Sequence, residues 1–457
     1  MHQDQFPVQE VTATRPAAVS QTCNYREDTA TRLQLFATPR SLQTEAILLS
    51  IGMSLLFILV YGGCNTLAAG LTQPGTCFFP WELNIPFVPA LVVPYLSIDL
   101  FFVASFLVCA DRIELRTHAR RIALAILIAG LVFLLFPLTV GYSRPDVKGW
   151  TGSLFRFLWA FDKPHNLVPS LHVSLASLLW PVFARHTKGG LRSLVHVWFT
   201  LIIASPLLTL QHHLLDVTTG AMLGQVCTFA FPERRVGSHP LVLSAPNRRV
   251  ASFYATGSAV LGLSSIVFGS WLWLLMWPAM SLGLIAIAYV RGDSSLFRKS
   301  GGRLPISTRI VLGPYLFGAF VRILFYRSRR EAWVLAAPGV YCGRLLSGRE
   351  ARMLTAIGVT SVLDLTAEHA ESRVFLATEY LNVPVLDLTR PSLEQLERAS
   401  SFIAKHVLRG GVYVHCALGI SRSVAAVDAY IAHKRGCLST YRQVKADRPV
   451  RACIIRR

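Results

Sequence analysis

The C-terminal third of this 457-residue chain contains the stretch His415-Cys416-Ala417-Leu418-Gly419-Ile420-Ser421-Arg422-Ser423. An apolar run at 411–414 precedes it and a helical pattern at 423–434 follows it, which predicts a strand, a tight loop and a helix. The N–H groups of such a loop converge on one anion, and the helix N-terminus adds positive potential. We therefore predict a Cys-x5-Arg phosphate loop whose phosphate-binding positions are Ala417, Leu418, Gly419, Ile420 and Ser421.

Cys416 is the predicted nucleophile of this loop. The loop amides and the helix end lower the pKa of the thiol, and the thiolate is the reactive form. Arg422 can offer two N–H groups of its planar guanidinium to two phosphate oxygens. A buried structural cysteine beside a surface arginine is the alternative. Because strand, loop, arginine and helix occur together at this spacing, we favour phosphate removal through a cysteinyl-phosphate intermediate.

Hydropathy divides the chain into two parts. The chain is 53% hydrophobic and its mean hydropathy is +0.46, above the usual range of soluble proteins. Long runs nearly free of charge fill 44–290, whereas 330–457 shows soluble patterning. A bilayer core requires about 20 apolar residues per helix. We predict an α-helical polytopic membrane domain of about eight spans, at 46–71, 87–110, 122–141, 168–184, 193–210, 213–231, 250–269 and 271–290.

The net charge of +20 is concentrated between the predicted spans. Basic clusters at 112–121, 185–192, 234–249 and 291–303 alternate with loops that hold no Lys or Arg, at 72–86, 211–212 and 270. This alternation is typical of a multi-pass membrane protein with both termini in the cytoplasm. We expect an integral protein of the plasma membrane, or of the inner membrane if the source is bacterial. Its basic loops would contact anionic lipids, and nucleic acid is not an expected partner.

Ionisable residues also cluster at one predicted membrane face. His212 and Asp216 are four residues apart and share a helix face, so the carboxylate can orient the imidazole. His172 opens the fourth predicted span and can protonate a leaving oxygen. Arg144 follows the third span at the same face and is a predicted phosphate-binding residue. The set suits a phosphohistidine route without a metal ion; the alternative is a group of histidines that merely sit at the water interface.

Three fragments of the membrane part resemble motifs of the type 2 phosphatidic-acid phosphatase superfamily, over roughly residues 85–232. They are Arg144-Pro145, Pro169-Ser170-Leu171-His172, and Ser205-Pro206 followed by His212 and Asp216. The resemblance implies that His212 is the nucleophile, Asp216 its partner and His172 the acid. Pro137 and Pro206 replace a Lys and an Arg of the pattern, and Leu171 replaces a Gly.

The two missing cations shift the resemblance towards the branch of inositol-phosphorylceramide and sphingomyelin synthases, which move phospho-headgroups between lipids. Hydrolysis and headgroup transfer therefore both stay open. The implied partners are the lipid bilayer and a phospholipid or sphingolipid-type substrate.

Residues 332–457 show alternating strand and helix patterns, which predict an α/β domain with a mainly parallel sheet. Capping-box patterns at Ser347 and Ser392 mark two helix starts. Strands are predicted near 340–341, 360–365, 380–386 and 411–416, and a last helix at about 439–447. The preceding basic and apolar segment 295–331 predicts a helix in the cytoplasmic interface; whether 306–326 crosses the membrane stays open.

This C-terminal region resembles the dual-specificity branch of the protein tyrosine phosphatase superfamily, over about 335–455. The resemblance implies that Cys416 is the nucleophile, that Arg422 binds the phosphate and that Ser423 stabilises the departing thiolate. Asp387, on a loop about 30 residues upstream, is the predicted general acid, and Asp364 is the second choice. The loop lacks Lys, which disfavours polyphosphoinositides and leaves a phosphoprotein or a lipid monophosphate such as phosphatidylglycerophosphate.

The sequence thus predicts a membrane phosphatase with a cytosolic cysteine site and an outward-facing histidine site, without cofactor or metal. Its predicted parts are a polar N-terminus (1–43), a lipid phosphatase or phosphotransferase-like membrane core (44–232), two further spans (233–294), a basic interfacial linker (295–331) and a dual-specificity phosphatase-like domain (332–457). The alternative is that only the cytosolic phosphatase is active and the membrane part is an anchor, scaffold or carrier.

Overall fold

The computed structural model describes residues 40–68, 75–141, 145–161, 166–233, 243–244, 246–268, 270–329 and 331–435. Arg144 and the helix predicted at 439–447 lie outside these residues. Within them the chain forms a helical part, up to residue 329, and a C-terminal α/β part.

The helical part is built from α-helices. They are α1 (Arg40–Ala68), α2 (Val92–Val108), α3 (Arg112–Leu135), α4 (Gly149–Phe161), α5 (Leu171–His186), α6 (Gly189–Leu208), α7 (Leu214–Ala230), α8 (Arg248–Phe268), α9 (Met276–Arg291), α10 (Ile306–Val311) and α11 (Gly313–Arg327).

Six helices of the described chain are long and apolar enough to cross a membrane. They cover Ser41–Leu67, Pro89–Val108, Arg112–Leu135, Gly189–Leu208, Arg248–Phe268 and Leu272–Arg291. The predicted fourth and sixth spans form α5 and α7, which have only 16 and 17 residues. Polar residues limit both helices, because α5 ends at Arg185-His186 and α7 begins next to the buried His213. Spans at these two helices stay a prediction.

The helical part buries one face of its helices and exposes the other. Buried side chains of α1, α2, α3, α5, α6 and α7 form one apolar cluster that includes Phe106, Ile126 and Phe199. On the opposite faces large apolar side chains are exposed, for example Leu59 of α1 and Leu100 of α2. Exposed apolar surface on this scale is typical of helices in contact with lipid.

The C-terminal part is an α/β unit around a five-stranded sheet in the order β1-β2-β5-β3-β4. Its elements are β1 (Trp333–Ala337), β2 (Val340–Gly343), α12 (Gly348–Ala356), β3 (Val359–Thr366), β4 (Glu379–Val385), α13 (Leu393–His406), β5 (Gly411–His415) and α14 (Arg422–Lys434). Only the β1–β2 pair is antiparallel among these strands, so the mainly parallel sheet is confirmed. The capping boxes at Ser347 and Ser392 are confirmed as well.

The segment predicted as one interfacial helix forms two helices. α10 ends at Val311, Leu312 caps it, and α11 starts at Gly313 with Pro314 in its first turn. A proline lacks the N–H that would continue the helix, but it is favoured at a helix start, which explains the break.

The two parts of the chain share an apolar cluster. Tyr289 of α9, Leu312 and Tyr315 of the linker pack in one buried group with Ala367 and Leu386 of the C-terminal part. The C-terminal sheet is therefore docked on the helical part by buried contacts.

Candidate active sites

The predicted phosphate loop connects the end of β5 with the start of α14. Gly419 lies in this loop with φ of 72°. A Cβ atom at this position would lie 2.7 Å from the carbonyl carbon of Gly343, so the close approach of the loop to β2 requires glycine. The amide of Leu345 donates to the carbonyl oxygen of Ala417 over 3.2 Å and fixes the loop from the same side.

Cys416 lies buried at the base of the loop, with its Sγ 3.4 Å from the Oγ of Ser423. Burial raises the pKa of the Cys416 thiol, but the charge of Arg422 and hydrogen bonds from Ser423 and from the amide of Gly419 outweigh it. The net pKa is lowered, which favours the thiolate. Leu418 and Gly419 are half-buried and Ile420 and Ser421 are exposed, so this side of the loop faces outward.

Arg422 is buried beside the thiol and is held by acceptors from the segment after β3 and from the end of β4. Its guanidinium forms a bidentate pair with Glu368, with distances of 2.7 and 3.1 Å, and donates to the carbonyl oxygen of Val385 at 2.8 Å. Burial opposes ionisation of Glu368, yet Arg422 holds its pKa below the usual range. Glu368 thus fixes the planar orientation that a phosphate requires. We did not predict this residue from the sequence.

The structure brings Asp387, the predicted general acid, to the phosphate loop. Its Oδ1 accepts a hydrogen bond from Arg422 Nη2 over 3.0 Å, and its Oδ2 contacts Arg322 of α11. Asp364 lies instead behind the loop, where its buried carboxylate contacts the ammonium group of Lys299 and accepts a 2.7 Å hydrogen bond from Tyr380. The geometry therefore favours Asp387 over Asp364 as a proton donor at the loop.

A group of buried charges lies behind the nucleophile. The Nε2 of His415 is 2.8 Å from Glu371 and 3.9 Å from Asp364. Burial lowers the pKa of His415, but the two carboxylates raise it overall. The ligand atoms of these three residues lie within 4.8 Å of one another, a spacing that could hold a metal ion. Lys299 already places a positive charge against Asp364, so the described cluster has an internal cation.

The second predicted site is also assembled in the helical part. The Nδ1 of His212 lies 3.3 Å from Oδ2 of Asp216. The amide of Ser170 donates to the backbone oxygen of Asp216 over 3.0 Å, which joins the start of α5 to the start of α7. Nε2 of His172 lies 3.2 Å from the carbonyl oxygen of Ile202. His172 stacks on Tyr95 with 4.3 Å between ring centroids. The His212–Asp216 contact of the predicted triad is thus present, and the role of His172 stays a prediction.

Glu82 supports this second site and was not predicted. Its fully buried carboxylate accepts from the amide of Leu214 at 2.8 Å, and its Oε2 lies 3.3 Å from Nδ1 of His213. His213 also accepts a 3.0 Å hydrogen bond from the amide of Gly141. Glu82 thus fixes the N-terminus of α7, next to His212. Its loop carried no sequence pattern that pointed to this contact.

Comparison with known proteins assigns the C-terminal part. Residues 340–453 match the family model of the dual specificity phosphatase catalytic domain. This part of the chain is a dual-specificity phosphatase domain. Human dual specificity protein phosphatase 22 is 36% identical over 97 residues, which are 21% of this chain and 51% of that protein. Dual specificity protein phosphatase MPK-4 of Drosophila melanogaster is 32% identical over 118 residues, 24% of this chain and 30% of that protein.

A longer match of lower identity extends to dual specificity protein phosphatase 26 of Bos taurus, which is 28% identical over 180 residues, 34% of this chain and 82% of that protein. The chain spans about half or less of the length of the human and fly relatives. The family model covers 340–453 and not the helical part, so the resemblance of the helical part to type 2 phosphatidic-acid phosphatases stays a prediction.

Proposed function

We propose that the dual-specificity phosphatase domain hydrolyses phosphomonoesters in the cytosol through a phosphocysteine. The Cys416 thiolate attacks phosphorus while Arg422 and the loop amides hold the non-bridging oxygens. The bond from phosphorus to the ester oxygen breaks as the S–P bond forms. Asp387 gives its proton to the leaving oxygen, which departs as a neutral alcohol or phenol.

Hydrolysis of the phosphocysteine completes the cycle. The ionised Asp387 accepts a proton from a water molecule, whose oxygen attacks phosphorus and displaces the Cys416 thiolate. The hydroxyl group of Ser423, 3.4 Å from Sγ, stabilises that thiolate as it departs. Inorganic phosphate is released, Cys416 is again a thiolate, and Asp387 again carries its proton. The position of the buried thiol between Arg422 and Ser423 is the observation that carries this proposal.

The substrate is a phosphoprotein or a lipid monophosphate that reaches the membrane surface. The phosphatase domain shares a buried cluster with the helical part, which supports a substrate held in or near the bilayer. Because Lys299 and Arg322 of the linker contact the domain, the test uses the full chain in detergent micelles.

We expect Cys416→Ser to abolish turnover of p-nitrophenyl phosphate, and acid quenching of the parent enzyme to trap phosphate on the peptide that contains Cys416. Cys227→Ser, which removes a buried thiol from α7, is the matched control and should keep full turnover. Turnover by Cys416→Ser, or phosphate trapped on a different residue, would refute the cysteine mechanism.

A second activity is supported by the geometry in the helical part. We propose that His212, oriented by Asp216 and assisted by His172, forms a phosphohistidine with a lipid phosphate or phospho-headgroup. The 3.3 Å contact between His212 and Asp216 carries this proposal, because Nδ1 as the donor leaves the lone pair on Nε2. The site is proposed to face outward and to hydrolyse the lipid or transfer its headgroup.

Vesicles that contain labelled phosphatidic acid or a labelled phospholipid plus ceramide distinguish the two outcomes: hydrolysis releases phosphate, and transfer labels the ceramide. His212→Ala should abolish either product and spare p-nitrophenyl phosphate turnover, whereas His196→Ala, which removes the exposed ring beside Trp180, should keep both activities. If the parent protein forms neither lipid product, the helical part is an anchor, scaffold or carrier.

A further inference from the structure

We propose that Arg322, on α11 of the linker, is the positioning residue of the general acid Asp387, so that the helical part contributes directly to catalysis by the phosphatase domain. The inference rests on the proposed role of Asp387. It assigns to the linker a function beyond that of a tether.

The contact reaches the carboxyl group itself. Nη2 of Arg322 contacts Oδ2 of Asp387, while Oδ1 of the same carboxyl faces Arg422 at 3.0 Å. Arg422 is the residue that a bound phosphate engages, and Glu368 and the carbonyl of Val385 already fix its guanidinium. When a bound phosphate accepts the N–H groups of Arg422, Oδ1 of Asp387 loses its contact with Arg422. Arg322 still contacts Oδ2 of Asp387 and continues to hold the carboxyl group.

The backbone around Asp387 is held by the helical part as well. The side-chain amide of Asn247, next to α8, donates to the carbonyl oxygen of Leu388 over 2.8 Å. Ser294 donates to the carbonyl oxygen of Pro384 over 3.1 Å. Leu388 itself has φ of 54°, an uncommon conformation that these contacts hold in place. The acid loop is thus fixed from outside its own domain.

Different sides of α11 are buried in the molecule, exposed, and directed at the general acid. One of its faces buries Tyr315, Ala319 and Ile323 in the molecule. On other sides of the helix Phe317 and Leu324 are exposed, at 69% and 50%. Arg322 leaves the helix towards the phosphatase domain, with 31% of its side chain exposed. The position of Asp387 therefore depends on where α11 lies.

The chemistry of the leaving group gives this role a distinct signature. A poor leaving group, such as an alkoxide, needs a well-placed proton donor, whereas p-nitrophenolate leaves without one. Since proton transfer depends steeply on geometry, loss of the Arg322 contact should slow poor leaving groups selectively. A defect in folding or in phosphate binding would slow all esters alike.

The experiment compares full-length Arg322→Ala, Arg322→Lys and the parent in detergent micelles. We expect Arg322→Ala to lower kcat/KM for phenyl phosphate and glycerol phosphate by roughly 10–100-fold, a part of the effect of a general acid, and for p-nitrophenyl phosphate by less than about threefold. Arg322→Lys should restore part of the rate.

Two further variants complete the design. Arg329→Ala removes an exposed cation just beyond the end of the same helix and should match the parent on every ester. Adding Arg322→Ala to Asp387→Asn should cost nothing further if Arg322 acts through Asp387.

Equal losses on all esters, additive losses in the double variant, or parent rates in Arg322→Ala would each overturn this inference. They would leave the cysteine mechanism untouched, because that mechanism is tested separately by trapping phosphate on Cys416.

Discussion

Lys299→Met tests how tightly the linker and the phosphatase domain are joined. Lys299 follows the short helical turn Ser294–Phe297, and its side chain is 1% exposed. Its ammonium contacts the fully buried Asp364 and donates to the carbonyl and the hydroxyl of Thr366 at 3.1 and 2.9 Å. Burial raises the pKa of Asp364, but Lys299 is foremost among the groups that hold it low. The substitution removes that cation and keeps an apolar stem of similar length.

The expected cost follows from the burial of both partners. Removing one member of a buried ion pair costs about 3–5 kcal/mol, because the remaining charge has lost its partner. A domain of about 100 residues loses about 4 °C of Tm per kcal/mol, so the Tm of the phosphatase domain should fall by roughly 12–20 °C. Adding Asp364→Asn removes the stranded charge, so the double variant should be more stable than Lys299→Met alone.

The assay follows phosphatase activity after heating the full chain in micelles, together with hydrogen exchange of peptides from 331–435. Lys405→Met, which removes an exposed cation from α13, is the control and should change the free energy of unfolding by less than about 0.5 kcal/mol. A parent-like Tm for Lys299→Met would refute the view that this ion pair joins the two parts. So would a double variant less stable than Lys299→Met.

Further predictions concern the two sites. Because the pKa of Cys416 is lowered, kcat/KM should rise with pH to a plateau, with a midpoint below the pKa of an ordinary thiol. Ser423→Ala removes one of the groups that lower the pKa of Cys416, so the midpoint should move to higher pH. An unchanged midpoint in this variant would contradict the role of Ser423. Glu368→Gln weakens the charged hydrogen bonds that orient Arg422, so kcat/KM should fall about 10–100-fold, the equivalent of roughly 1.5–3 kcal/mol, and parent kinetics would disprove that role. Glu82→Gln should destabilise the helical part by about 1–3 kcal/mol, measured by its thermal unfolding, and leave p-nitrophenyl phosphate turnover intact.

Features encoded in a short stretch of chain could be predicted from the sequence. The capping boxes at Ser347 and Ser392 depend on residues three positions apart, and both form. The strand, loop and helix around Cys416 likewise follow from the local pattern, and the loop lies so that Cys416 is beside Ser423. Asp387 was predicted by its distance upstream, and the fold carries it to Arg422.

The residues that were missed act across long separations in the sequence. Glu368 lies 54 positions from Arg422, and Lys299 lies 65 positions from Asp364. Each has an unremarkable local pattern, since a charged residue after a strand or in a basic linker is usually solvated. Their roles arise only when the fold removes them from water and brings each of them to its buried partners.

Two predictions about helices, the continuity of 306–326 and the lengths of α5 and α7, were incomplete for a related reason. The apolar run 306–326 contains Pro314, and a proline can either kink a helix or begin a new one. In the structure Pro314 lies in the first turn of a new helix, α11. For α5 and α7 the apolar residues were correctly placed on helices, but the lengths depend on caps at Ser170 and His213 that are set by contacts with neighbouring segments.

The buried junction between the two parts has a consequence for how the proposed phosphatase would meet its substrates. A catalytic domain on a flexible linker can bind substrates throughout a wide volume of solution. Here Lys299 and the cluster around Tyr289 and Leu386 join the domain to the helical part. If the helices lie in a membrane as proposed, this junction fixes the distance of the Cys416 loop from the lipid. On the proposed membrane placement, substrates held in the bilayer would reach the site by lateral diffusion in two dimensions, and substrates in solution would have to come to the membrane surface.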